Sequence, residues 1–165
     1  MISLDLLETF DIFKGLNDDQ LTAIQKHCQT EEYKRGDRLF MEGDEAAHLW
    51  FVFEGQVDLR FELPGRNAPA NDQTVSSLSA RPSIASTLGW SCFVPPYKMR
   101  LSAYCASRTC TVIKIAKNDL LKLFEKDHKL GYLVMSFIVR VVGYRFQQFQ
   151  DQVAKNMGES IMSSW

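Results

Sequence analysis

The fifteen residues from Ser86 to Arg100, STLGWSCFVPPYKMR, gather the chain's best candidates for binding chemistry. Gly89 is followed by residues able to form one short turn of helix, Ser91, Cys92 and Phe93. Pro95 and Pro96 stop that turn, because proline lacks an N–H and fixes its own φ. Arg100 then stands as a lone cation before an apolar run. This order reads as a short turn that holds something, and the large indole of Trp90 directly after the glycine is its odd member.

Elsewhere the reactive residue types do not combine. The four cysteines, Cys28, Cys92, Cys105 and Cys110, form no C-x-x-C pair and sit in apolar contexts. In a reducing compartment they read as small core residues. A metal or cluster site at Cys105 and Cys110 is the sharper alternative, but no histidine lies close by and no second pair completes a four-ligand set. His27, His48 and His128 are scattered. No nucleophile–base pair or paired carboxylates emerge from the spacing, so the expectation is a binding protein and not an enzyme.

Bulk properties narrow the class further. A chain of 165 residues is one domain's worth of core, and 45% hydrophobic with 24% charged residues is ordinary for a soluble globular protein. A net charge of −1 gives no field to attract nucleic acid or anionic lipid. No apolar run reaches the length of a membrane span. The opening MISLDLLETF has acids where a signal peptide needs bases, so a cytoplasmic location is expected.

Three textures must position the turn. Residues 1–30 read as helices: LDLLETF, then NDDQLTAIQKHC with Asn17 or Asp18 as N-cap and Leu21, Ile24 and Cys28 on one face. Residues 31–116 are short runs broken by Gly36, Gly43, Gly55 and Gly65. Leu49, Phe51 and Phe53 alternate before FEGQ, a tight hairpin in which Gly55 supplies a positive φ, and Val57, Leu59 and Phe61 alternate after it. PGRNAPAND at 64–72 reads as an exposed loop and QTVSSLS as a strand, while LSAYCAS and TCTVIKIA read as a further strand pair. Many short strands at this spacing predict a mainly β, antiparallel sandwich or barrel with flanking helices. Residues 117–156 are a short helix and a long one starting at His128, with a loose tail over 157–165.

The long helix carries two apolar stripes. Leu130, Val134, Phe137, Val141 and Tyr144 form one; Met135, Val139, Val142, Phe146, Phe149 and Val153 form the other. Alternating spacings of 4 and 3 make each a coiled-coil-like seam. A helix on a monomer needs only one. The second predicts a partner, most simply a homodimer through residues 128–155, with a different protein as the other occupant it admits.

With these elements in order, the sequence resembles the cyclic-nucleotide-binding domain, the sensor module of catabolite-activator/Fnr-type regulators, of protein kinase A regulatory subunits and of cyclic-nucleotide-gated channels. The resemblance covers about residues 10–155. It is carried by FKGL, by YKRGDRLFMEGDEAAHLWFVFEGQVDL, by the LGW turn, by Arg100 and by CTVIKIAKNDLLKLF. It implies an antiparallel, jelly-roll-like β-roll with N-terminal helices and a long C-terminal dimerisation helix. It makes residues 86–101 the family's phosphate-binding cassette.

In such a cassette, backbone N–H groups at the start of a short helix face an anion and an arginine adds charge-assisted bonds. A glutamate beside the glycine accepts the ribose 2′-hydroxyl. Here Gly89 matches the glycine, Ser91, Cys92 and Phe93 the short helix, and Arg100 the arginine, whereas Trp90 stands at the glutamate position. A charge-assisted bond is worth roughly 1.5–3 kcal/mol, so its loss weakens ribose binding on the order of ten- to a hundred-fold. Leu101, where the family usually has a small residue, narrows the site further. The resemblance thus implies ligand contacts at Gly89, Trp90, Ser91, Cys92, Arg100 and Leu101, a small anionic or phosphorylated ligand, and weak or absent binding of cyclic AMP.

Two roles are open to Trp90: a flat wall for a different ligand, or a plug in a dead pocket with Arg100 paired to a carboxylate such as Glu54. Only about ten residues follow the long helix, too few for a recognition helix, so the sensor half alone is expected. The leading expectation is a regulatory sensor whose hinge lies between Lys117 and Leu130. The alternative is a dimeric scaffold with a degenerate cassette. A haem- or redox-sensing relative is the weakest reading, since the fumarate–nitrate type needs an N-terminal cysteine cluster and the first cysteine here is Cys28.

Overall fold

The computed structural model describes residues 2–62, 74–79 and 84–163, so the expected loop at 64–72 lies outside the described residues. The chain opens with helix α1 (Leu4–Thr9), a 3₁₀ turn (Asp11–Phe13) and helix α2 (Asp18–Gln25). Asn17 is the N-cap of α2 and forms a capping box with Gln20, each side chain accepting from the other's backbone N–H. Cys28 does not extend the apolar face of α2 as the periodicity suggests. The His27 N–H closes the helix on the Ile24 carbonyl at 2.9 Å, and Cys28 instead opens strand β1 (Cys28–Lys34), opposite Ile115.

Seven further strands follow: β2 (Arg38–Phe40), β3 (His48–Glu54), β4 (Gln56–Arg60), β5 (Thr74–Ser79), β6 (Thr87–Leu88), β7 (Ser102–Cys105) and β8 (Thr109–Ala116). They make two antiparallel four-stranded sheets, ordered β1-β8-β3-β6 and β2-β7-β4-β5. This is the mainly β, antiparallel architecture with flanking helices that the alternation predicts, in the form of the roll that the resemblance implies.

Two local expectations fail, for one reason. FEGQ does not close a β3–β4 hairpin, and LSAYCAS does not pair with TCTVIKIA, because each turn passes the chain from one sheet to the other. The two corners bond to each other instead. The Ala106 N–H donates to the Gln56 carbonyl at 2.8 Å, and the Gln56 N–H to Ser107 Oγ at 2.8 Å. Gly55 still needs its positive φ of 78°, and a Cβ there would lie 2.3 Å from the Thr109 carbonyl oxygen.

Strand β3 is buried on both faces, which the simple alternation does not anticipate. Phe51 meets Phe10 and Phe13 of the N-terminal segment, with ring centroids 5.6 and 5.4 Å apart. Trp50, on the opposite face, meets Phe40 of β2 at 5.7 Å. Helix α3 (Lys117–Lys126) then leads through Asp127 into helix α4 (His128–Ser163). Asp127 accepts from the Leu130 N–H at 3.0 Å and from Gln20 Nε2 at 2.7 Å, which ties the start of α4 to α2. The helix continues into the segment expected as a loose tail, as far as Ser163 among the described residues.

The two stripes of α4 part as their spacing predicts. Leu130, Val134, Phe137 and Val141 are buried in the core, with Tyr144 half-buried. On the other stripe Val139 is 68% exposed, Phe146 58% and Phe149 48%, while Met135 and Val142 are half-buried. Tyr132 and Met157 extend the exposed line at either end. No helix among the described residues is long and apolar enough to cross a membrane.

Candidate functional site

The two-residue strand β6 pairs with Trp50 and Phe51 and delivers the chain to Gly89. Gly89 has φ 74°, in the left-handed region. A Cβ at this position would lie 2.5 Å from the His48 carbonyl oxygen and 2.8 Å from Trp50 Cδ1. Both conformation and space therefore require glycine here. A 3₁₀ turn (Trp90–Phe93) follows, closed by the Cys92 N–H on the Gly89 carbonyl at 2.9 Å. Among the described residues, no hydrogen bond engages the backbone N–H groups of Trp90 and Ser91.

The segment after the prolines is fastened on two sides. The Pro95–Pro96 peptide is cis, and Tyr97 has φ 57°. The Ala46 N–H donates to the Tyr97 carbonyl, Met99 exchanges backbone bonds with Asp44 and Gly43, and Glu45 bridges to Lys98. On the helical side, the Lys117 ammonium sits 3.6 Å from the Tyr97 ring centroid, and Phe93 stacks on Phe124 at 6.2 Å. The cassette is thus in contact with α3 as well as with the roll.

Between the cassette and α4 lies a cavity of about 300 Å³. This is at the small end of the ~300–1,000 Å³ typical of ligand sites. Its roll wall is formed by Phe40, Leu59, Leu88, Met99 and Leu101, and Gly89, Trp90, Ser91 and Arg100 complete that side. Its helix wall is formed by Val142, Arg145, Phe146, Gln148 and Phe149 of α4.

Arg145 is the charged residue that helix α4 carries into this wall. NH1 donates to Ser76 Oγ at 3.2 Å and to Gln148 Oε1 at 3.0 Å. NH2 donates to the Ala85 carbonyl at 2.9 Å and to the Thr87 carbonyl at 3.3 Å. All four acceptors are neutral. Among the described residues, no carboxylate pairs with Arg145 and nothing accepts from its Nε–H. Burial pushes its pKa down to about 10, which leaves it charged at neutral pH.

Five of the six residues singled out in the cassette, Gly89, Trp90, Ser91, Arg100 and Leu101, lie on this cavity. Cys92 does not. Its side chain is wholly buried in the core, and burial raises its thiol to about 12, so it is neither a wall residue nor a reactive thiol. The pairing of Arg100 with Glu54 is not present. Arg100 is exposed at the rim without an ion pair among the described residues, and Glu54 accepts from Thr111 Oγ1. Trp90 is half-buried on the wall of an open cavity and does not fill it.

The residue that sequence reasoning passed over is Arg145. Its signal was position. It stands four residues after the buried Val141 and seven after the buried Ile138, where the packed stripe of a helix calls for an apolar side chain.

Roll, cassette and C-terminal helices together constitute the fold of the cyclic-nucleotide-binding domain. A candidate cyclic nucleotide-binding protein from Geobacter metallireducens GS-15 superposes with a TM-score of 0.72 at 25% identity, over 88% of this chain and 99% of its own. A cyclic nucleotide-binding domain from Methylobacillus flagellatus KT gives 0.73 at 18% identity, over 93% and 81%. The catabolite activator protein of Thermus thermophilus gives 0.66 at 19%, over 89% of this chain and 63% of its own. No protein-family model and no curated protein matches the sequence, so the likeness is one of structure.

Proposed function

We propose that the chain is a ligand-sensing regulatory domain that binds a small anionic ligand other than cyclic AMP and signals through displacement of α4. One observation carries this reading. The cavity has one wall on the cassette and the other on α4, so whatever occupies it touches both the roll and the C-terminal helix. A ligand that contacts the two elements differently in two arrangements shifts the population between them. The open cavity, and an Arg100 with no ion pair among the described residues, support this over a scaffold with a filled, inert cassette. Cyclic AMP fits poorly because the position that reads the ribose holds Trp90.

The exposed stripe of α4 is assigned in the same reading to a second copy of the chain. From Met135 to Val153 it keeps the 4-3 spacing of a coiled-coil seam, which a two-fold parallel pair of identical helices satisfies.

Calorimetric titration with cyclic AMP, alongside native mass spectrometry of the purified chain, tests the ligand half of the proposal. The expected result is no cyclic AMP affinity in the micromolar range, together with a retained small molecule. Tight cyclic AMP binding would return the site to ordinary nucleotide sensing.

A further inference from the structure

The cavity is mismatched to a nucleotide in a specific way. Its walls are mostly hydrocarbon and aromatic, from Phe40, Leu59 and Met99 across to Phe146 and Phe149, with Ser76, Thr87, Ser91 and Gln148 as the neutral polar lining. A sugar and a base carry more hydroxyl, ring-nitrogen and amino groups than these few polar side chains can meet, and an unpaired polar group taken out of water is costly. The cation expected to hold a phosphate, Arg100, is exposed at the rim, where water screens it. The more enclosed, half-buried cation is at the other wall. Arg145 holds its charge against four neutral acceptors, and one of its five N–H donors is unused among the described residues. A charge partly withdrawn from water is best met by an opposite one. Here no residue of the described chain supplies it.

We infer that the ligand is a small aromatic carboxylate, its acid group paired with Arg145 on α4 and its planar body lying among Phe40, Trp90, Phe146 and Phe149. The inference rests on the reading of the cavity as a ligand site and names the class that would fill it. A single carboxylate matches the single positive charge, one of its oxygens accepting from the Nε–H that the described residues leave unused. A flat apolar body finds aromatic faces on both walls. Recognition is thereby moved from the cassette arginine to the helix, the element that the proposal has moving.

The test uses the full chain with 2-naphthoate, its neutral isostere 2-naphthamide, and cyclic AMP. Binding is followed by tryptophan fluorescence, and the response of α4 by hydrogen exchange over residues 142–149. The acid should bind ten- to a hundred-fold more tightly than the amide, as a charge-assisted bond demands. Arg145→Met should abolish that preference while Arg145→Lys keeps part of it. The comparison of acid with amide on the unmodified chain stands even if Arg145→Met fails to fold. Equal binding of acid and amide, or cyclic AMP binding more tightly than the acid, would overturn the carboxylate inference and leave the ligand site standing. Failure of all three probes to bind or to alter exchange at residues 142–149 would overturn both.

Discussion

The two walls of the cavity are built by different means. The roll wall is set by backbone. Gly89 fits against the His48 carbonyl because it has no side chain, β6 is paired to β3, and the 97–99 segment is hydrogen-bonded to residues 43–46. The helix wall is set by side chains. Arg145 reaches the carbonyls of Ala85 and Thr87, and beside it Phe146 and Phe149 remain about half-exposed. Backbone pairing across a sheet gives way only with the fold, whereas a side-chain fork can let go of one set of acceptors and take another. One wall is therefore a template, and the other is held by bonds that can be exchanged.

The largest expected effect falls on the template. Gly89→Ala should destabilise the chain by at least about 3 kcal/mol in a denaturant melt, since φ and a carbonyl oxygen both reject the methyl group. A near-neutral result would mean that the roll wall is as compliant as the helix.

Next comes assembly. Val139→Glu with Val153→Glu places charges on the exposed stripe at positions that do not line the cavity, and should halve the sedimenting mass. An unchanged mass would move the interface elsewhere.

A smaller effect is expected at the root of the helix wall. The hydrogen bonds from Gln20 and from the Leu130 N–H hold the Asp127 carboxyl below its usual value of 3.8. A depressed carboxyl pKa contributes stability that is present above that value and is lost as pH falls through the folded one. Asp127→Ala should therefore melt below the parent chain at neutral pH, and the two melting temperatures should converge in acid below pH 3.8. A gap that persists there would show that the link to α2 does not depend on the charge.

The smallest effect belongs to Gly143→Ala on α4, where an added Cβ meets nothing within 4 Å. A gain of about 0.5–1 kcal/mol is expected from helix propensity. The same methyl group is thus rejected on the roll wall and welcome on the helix that supplies the other.

Much of the template was legible in the sequence. Gly89 declared itself by its place before a proline-stopped turn, and the alternation from residue 48 to residue 61 gave the strands. The crossing of FEGQ between sheets was not legible, because a corner and a hairpin use the same left-handed glycine, and only the distant partners of β3 and β4 distinguish them. Helix α4 gave up its two stripes, since each follows from local spacing. Arg145 stayed hidden because its meaning depends on carbonyls 58 and 60 positions away. Arg100, which motif matching favours, turned out to be exposed at the rim.

The length of α4 has a mechanical consequence. With 36 residues and its base fastened at Asp127, the helix is a lever whose far end magnifies any rotation at the cavity. At 1.5 Å per residue it is about 54 Å long, so a tilt of about 5° at the base sweeps its tip through roughly 5 Å. A displacement too small to disturb the packing beside Arg145 thus becomes, at the end of the helix, a step as wide as the gap between neighbouring β-strands.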